Sequence, residues 1–443
     1  MRGTLARSYS FGDTKKPRLA TIWRLVAVSA AVAAVAAAAP AGGLAVLPSV
    51  RLTASTSAVG NAAVAPVGTA DLGPAPASQR LALDVVLAPR DPAALSRFAL
   101  AVSTPGNPLY GHYLKTGQFP TVFGPTAATI SKVMSGLRRL GLEPGAISSN
   151  HLIIPVSATV ATVEHALGVS LDRYRLSTGR RAIANVNAPR LPSSFARAVT
   201  AVIGLDNLVE NEPADLGAVP PAAGKPATSG RPGAASGRVS HATGPQACSA
   251  ASSFATKEGA WTENELAKAY SLPTLYTRGD LGQGATIAIF EATAYDSSDI
   301  TAFQQCYKTN TSVKNISVDG GTTSTAGLGE AELDIETIIG IVPKASLLVY
   351  EAPNSGTGTI DEYNAIVSQN KAQVMSSSWG LCEVFLGSSA SNAQNTIFEQ
   401  AASQGQSMLA VPGDEGSEGC LPNDFGAGGA GLGSSTGPLG VAV

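Results

Sequence analysis

Two stretches of periodic apolar positions, separated by segments without period, organise this 443-residue chain. The first opens at Leu81-Ala-Leu-Asp-Val-Val-Leu-Ala88, whose apolar density predicts a strand. Asp91-Pro92 then supplies an N-cap and a first-turn proline for a helix to about Val102. The pattern continues with a helix over 127–140, a strand over 151–156, a helix over 159–167 and strands around 171–176 and 182–186. Pro192-Ser-Ser-Phe195 leads into a last helix that closes near Asp206-Asn207. That mixture predicts a compact α+β domain. The second stretch alternates regularly: strands at 286–290, 313–318, 346–350, 372–376 and 408–411, with helices at 298–305, 330–341, 360–369 and 392–403 between them, the last stopped by Gly405. Such alternation predicts a parallel sheet with flanking helices, in which ligands gather at the carboxyl ends of strands. Glu291, Ser377-Ser378-Trp379-Gly380 and Gly413-Asp414-Glu415-Gly416 fall there.

Outside these stretches composition takes over. Lys15, Lys16, Arg18 and Arg24 precede the uncharged run 25–39, short for a bilayer span, with an A-x-A site at Ala37-Ala38-Ala39. Residues 1–39 therefore read as an export signal; the alternative is an uncleaved membrane anchor continuing through Pro40 to Leu47. Residues 40–78 are Ala, Pro, Ser, Thr and Gly with almost no charge, a composition that cannot by itself enclose a core, and are expected to be a low-complexity spacer. Residues 79–210 form the first domain, 211–247 an exposed Pro/Gly/Ala/Ser linker where processing is expected, and 248–443 the second domain. Cys248, Cys306, Cys382 and Cys420 have no C-x-x-C pair or flanking histidine, so two disulfides are expected of an exported chain. Three pairings are open, the sequential one being preferred; free buried thiols are the alternative. A net charge of −2 with only 14% charged residues sets nucleic-acid binding aside.

The densest candidate chemistry is Gly329-Glu-Ala-Glu-Leu-Asp-Ile-Glu336, four carboxylates at the start of a predicted helix. Glu330 and Asp334, four apart, share a helix face with Cβ atoms about 5–6 Å apart, so their titrations couple. The alternative is a solvated first turn favoured by the helix dipole. The histidines, His112, His151, His165 and His241, all precede the second domain, which excludes a histidine-based triad within it. Gly282-Gln283-Gly284 precedes its strand and opens no helix. Gly426-Ala-Gly-Gly-Ala-Gly431 lacks the Lys and Ser/Thr of a phosphate-binding loop.

The remaining set resembles a known family. Gly329-Glu330-x-x-x-Asp334-Ile-Glu336, the strand-end Ser376-Ser-Ser-Trp379-Gly380 with Glu383 after it, and Gly413-Asp414-x-Gly416 resemble the sedolisin (serine-carboxyl peptidase) family. Pro108-Leu-Tyr110-Gly-His-Tyr-Leu114, Phe119 and Phe123-Gly124-Pro125-Thr126 are similar to its pro-kumamolisin-type activation prosegment, and Trp261-Thr-Glu-Asn-Glu-Leu266-Ala-Lys-Ala-Tyr270 to the opening of its catalytic domain. The resemblance implies a subtilisin-like α/β sheet after a ferredoxin-like α+β prodomain, with 248–443 as the N-terminal part of the catalytic domain. It implies Glu330 as general base toward a serine, Asp334 as its support, Asp414 as the oxyanion-hole acid and Glu291 as a further carboxylate beside Glu330. Ser378, Trp379 and Gly380 would form the edge that pairs with substrate backbone. An acid medium suits this set, because a protonated Asp414 can donate to an oxyanion. Protein or peptide substrates, the prodomain as intramolecular inhibitor or chaperone, and calcium are implied as partners, although no matching calcium cluster occurs in the sequence. The family's nucleophile lies in a Gly-Thr-Ser motif downstream of the Gly-Asp loop; none follows Asp414, and Ser434-Ser435-Thr436 does not match. The chain is accordingly expected to be an inactive fragment of an exported, acid-acting endopeptidase precursor. The alternative is a non-catalytic secreted module that engages a peptidase in trans.

Overall fold

The computed structural model describes residues 55–213, 244–411 and the backbone of 441–442. The chain divides into two compact units, Met1–Leu52 and Thr53–Val443, and the described residues all belong to the second. The expected signal segment, most of the linker, Cys420 and Asp414 lie outside them.

The first half runs β1 (Thr56–Ala58), β2 (Ala70–Pro74), β3 (Arg80–Leu87), α1 (Pro92–Ser103), α2 (Phe119–Val122), α3 (Ala127–Arg139), β4 (Glu143–Pro144), β5 (Ile153–Thr159), α4 (Val160–Leu167), β6 (Leu171–Arg175), β7 (Arg181–Asn185), β8 (Arg190–Pro192), α5 (Ser193–Ala196), β9 (Val199–Ile203) and β10 (Glu212–Pro213). Local chemistry sets the helix starts: Asp91, Thr126 and Thr159 cap α1, α3 and α4 by accepting backbone N–H bonds. An antiparallel sheet of order β4-β5-β3-β9 carries the domain, with sheets β2-β6-β7 and β1-β8 beside it. This is the α+β architecture expected, with two corrections. The stretch 40–78, read as spacer, is structured from residue 55: β1 pairs with β8, β2 with β6, and Val59 and Ala75 enter the core. Pairing with distant strands supplies the backbone bonds that its weak apolar pattern does not announce. The expected last helix is one turn, α5; the β-branched run after it becomes β9, an edge partner of β3.

The second half runs α6 (Ser249–Glu258), α7 (Glu263–Ala269), α8 (Pro273–Tyr276), β11 (Thr286–Glu291), α9 (Ser297–Tyr307), β12 (Ser312–Ser317), α10 (Leu328–Ile341), β13 (Ser346–Glu351), α11 (Gly356–Gln369), β14 (Val374–Ser377), β15 (Trp379–Cys382), α12 (Glu383–Ser403, kinked at Gly387), β16 (Ser407–Ala410) and β17 (Val441–Ala442). Strands β12-β13-β11-β14-β16 form one wholly parallel sheet, as the alternation predicts. Cys248 and Cys306 are joined, tying α6 to α9; Cys382 is also disulfide-bonded. Among the described residues no helix is long and apolar enough to cross a membrane.

The halves meet through β3. Its Leu83, Val85 and Leu87 face the helices of the first half with Val133, Leu137 and Phe195, while Val86 turns the other way and joins Phe119, Phe123, Leu152 and Ile153 in a cluster with Phe290, Tyr363, Ile366 and Ile397. Burial on both faces explains the near-continuous apolar run of the strand. At the same interface the buried Asn150 donates from Nδ2 to Asn364 Oδ1 and to Gln400 Oε1, both at 2.7 Å. Asn150→Ala is expected to cost about 2–4 kcal/mol in denaturant unfolding, because two buried acceptors lose their shared donor; a loss under about 0.5 kcal/mol would mean that water takes its place. Close by, the buried Asp84 of β3 meets Asp361 of α11. Burial and then the charge of Asp319 raise Asp84 to about 7, against the pull of its hydrogen bond with Asp361, while burial and then the charges of Asp84 and Asp319 raise Asp361 to about 9.

Candidate active site

Two sheet strands end in buried glutamates, Glu291 on β11 and Glu351 on β13, which the register sets side by side. Helix α10 brings Glu330 and Asp334, both half-buried, toward the same strand ends. The helix can start here because Gly327 takes a left-handed φ of 92°. A Cβ there would lie 2.5 Å from the Trp379 ring and 3.2 Å from Pro213, so only glycine admits both neighbours.

Hydrogen bonds lock the set. Ser378 donates from Oγ to Asp334 Oδ1 at 2.8 Å, and Trp379 donates from Nε1 to Glu291 Oε2 at 2.8 Å. The backbone N–H of Glu291 donates to Glu362 Oε1 at 2.9 Å, and Asn315 Nδ2 donates to Glu351 Oε2 at 2.9 Å. Glu291 Oε1 and Asp334 Oδ2 are buried without hydrogen-bond partners. Burial pushes the Asp334 carboxyl up to about 6, against the opposing pull of Ser378. Glu291 is raised well above the usual carboxylate range, by burial first and the Asp334 charge next, with Trp379 pulling it back. Glu362, also wholly buried, is raised chiefly by burial. The arrangement runs from half-buried acids on α10 to an interior whose burial favours the protonated form of Asp334, Glu291 and Glu362.

The Ser378–Trp379–Gly380 stretch is placed in two ways. Its backbone leads into β15, the middle strand of the sheet β10-β15-β17, which pairs antiparallel with β10 along one edge in the register Glu212↔Gly380 and Pro213↔Trp379 and with β17 through Leu381 and Cys382 on the other. The indole of Trp379 points inward, 2% exposed, toward Glu291. The structure thus joins Glu291, Asp334, Ser378 and Trp379 directly, with Glu330 on the same helix, whereas Asp414 lies outside the described residues. Sequence reasoning missed Glu351 and Glu362. Glu351 has the same signal as Glu291, an acid closing an apolar strand; Glu362 sits among Ile360, Tyr363 and Ile366 in the buried stripe of α11. Glu336, read as a solvated acid, is half-buried and pushed up to about 7, by burial and then by Glu332, Asp299 and Glu263, away from this site. Among the described residues no group of three or more His, Cys, Asp or Glu is arranged to hold a metal ion, so the implied calcium finds no donor set there and no step is drawn through it.

The α/β sheet gathers carboxyls at its strand ends, and β10, the first residues of the expected linker, lies along one edge of the adjacent β15. Residues 67–208 match the family model described as Pro-kumamolisin, activation domain. The chain is 29% identical over 336 residues to sedolisin of Pseudomonas sp. (strain 101), covering 74% of this chain and 52% of that protein. It is 27% identical over 357 residues to xanthomonalisin of Xanthomonas sp. (strain T-22), covering 77% and 40%, and 35% identical over 167 residues to kumamolisin of Bacillus sp. (strain MN-32), covering 36% and 30%. The activation-domain match and these three relatives together support a sedolisin-family precursor. It spans about half or less of the length of these relatives.

Proposed function

We propose that this chain comprises the prodomain and the first part of the peptidase domain of an exported serine-carboxyl endopeptidase that hydrolyses peptide bonds in acid. The observation that carries the reading is the β10–β15 pairing: the extended segment that follows the prodomain, residues 212–213 at the start of the expected linker, occupies the edge beside Asp334, where a substrate backbone would lie. Glu330 is the general base, Asp334 orients it and takes up its proton load, and Glu291 with Trp379 holds Asp334 in place from behind. Asp414 is the acid of the oxyanion hole. The reading requires a serine nucleophile, for which no Gly-Thr-Ser motif follows Asp414. Until this strand leaves, it blocks the edge, which makes the prodomain with the start of its linker an inhibitor of its own peptidase. The Cys248–Cys306 disulfide supports export to an oxidising compartment.

The test is hydrolysis of a denatured protein substrate between pH 3 and 8 by the product of the whole gene. An acid optimum that Glu330→Gln lowers by about 10³-fold or more is expected, since general base catalysis supplies roughly 10²–10⁴-fold. Acid hydrolysis surviving that substitution would remove Glu330 from its role, and a neutral optimum would remove the acid assignment.

A further inference from the structure

The residue just before β10, Asn211, is 7% exposed and is held by the second half on three sides. Its N–H donates to Asn354 Oδ1 at 2.9 Å, and Asn354 Nδ2 donates back to the Asn211 carbonyl at 2.7 Å. The backbone thereby fixes which way the Asn354 amide faces, because an N–H needs an acceptor and a carbonyl a donor. The Asn211 side chain donates from Nδ2 to Thr359 Oγ1 at 2.5 Å, with Asn354 Oδ1 a further acceptor at 3.4 Å. Thr359, in the first turn of α11, spends its own hydroxyl proton on the Ser355 carbonyl at 2.9 Å. Toward Asn211, therefore, Thr359 offers only lone pairs.

Such a pocket takes an amide N–H and repels a carboxylate of the same shape. The neighbours of Asn211 are Glu210 and Glu212. A slip of one residue in either direction would bring a glutamate to these acceptors and carry the strand out of its pairing with Gly380 and Trp379. We propose that Asn354 and Thr359 form an amide-selective subsite of the peptide-binding edge, which takes an asparagine immediately upstream of the strand paired with β15 and sets that strand's register. Its first occupant is the chain's own Glu210-Asn211-Glu212, where the first domain passes into the linker; its ligand class is an extended peptide with asparagine at that position. This rests on the reading of β15 as the peptide-binding edge.

Hydrogen exchange on the full chain tests it. In the unsubstituted chain the segment Trp379–Cys382 exchanges slowly; in Asn211→Asp at pH 7 its β10-facing amides should exchange about tenfold faster or more, while those of β11 stay unchanged and report an intact sheet. A protonated Asp donates again, so at pH 3.5, after correction for intrinsic rates, protection should return in Asn211→Asp and stay lost in Asn211→Ala. Unchanged protection in Asn211→Asp, or equal loss in both variants at both pH values, would overturn the subsite while leaving the edge reading intact. Fast exchange of the segment in the unsubstituted chain would overturn the edge reading itself, and the subsite with it.

Discussion

Taking this chain from pH 8 to pH 4 is expected to raise its unfolding free energy by at least about 3 kcal/mol. A carboxyl whose pKa is higher folded than unfolded binds its proton more tightly in the folded state. Its stabilisation is complete below the unfolded value and is lost as the pH rises toward the folded one. Asp334 alone, raised from the usual 3.8 to about 6, accounts for roughly 3 kcal/mol at about 1.4 kcal/mol per pH unit. Glu291, Glu362 and the Asp84–Asp361 pair act in the same direction. Among the described residues Asp296, at the surface, is the shifted carboxyl held below its ordinary value, chiefly by the Ser298 hydroxyl. The measurement is denaturant unfolding at pH 4, 6 and 8. Substituting Glu291 and Glu362 by glutamine should flatten the dependence; a stability that is flat or falls toward pH 4 would contradict the buried-neutral assignment. The same sign applies to the tie between the halves, since ionising Asp84 and Asp361 sets two charges against each other across the interface.

The second large effect is at Trp379. Trp379→Phe keeps an aromatic ring but removes the N–H that satisfies Glu291 Oε2, leaving a buried carboxyl with neither oxygen bonded. It also opens space against Gly327. A loss of about 3 kcal/mol is expected from the orphaned acceptor and the cavity together. A double-mutant cycle with Glu291→Gln separates the two contributions. Coupling of about 1–2 kcal/mol assigns the loss to the hydrogen bond, whereas coupling under about 0.5 kcal/mol would make Trp379 a packing residue only. Because β15 carries Trp379 on its inner side and Pro213 on its edge, the variant should also loosen β10.

What could be read in advance follows from range. The Glu330–Asp334 spacing is a property of one helix, and the strand–helix alternation is written in local periods, so the second half came out in order. Asp91, Thr126 and Thr159 announced their helices by cap chemistry. Strand β9 and residues 56–74 were misread because their pairing partners lie far along the chain and their apolar pattern is too weak to stand alone. Glu362 was missed for a related reason: an acid within an apolar helical stripe looks like noise until Glu291 is seen donating its N–H to it.

The chain by itself thus determined most of the elements, the passage from an α+β region to a parallel α/β sheet and the acids available for chemistry, all of which depend on neighbours a few residues apart. Tertiary structure alone decided which acids are held neutral and what occupies the edge beside them. Burial and pairing at β15 join residues more than a hundred positions apart, Asn211 to Asn354 and Glu212 to Gly380, and no local period encodes such distances.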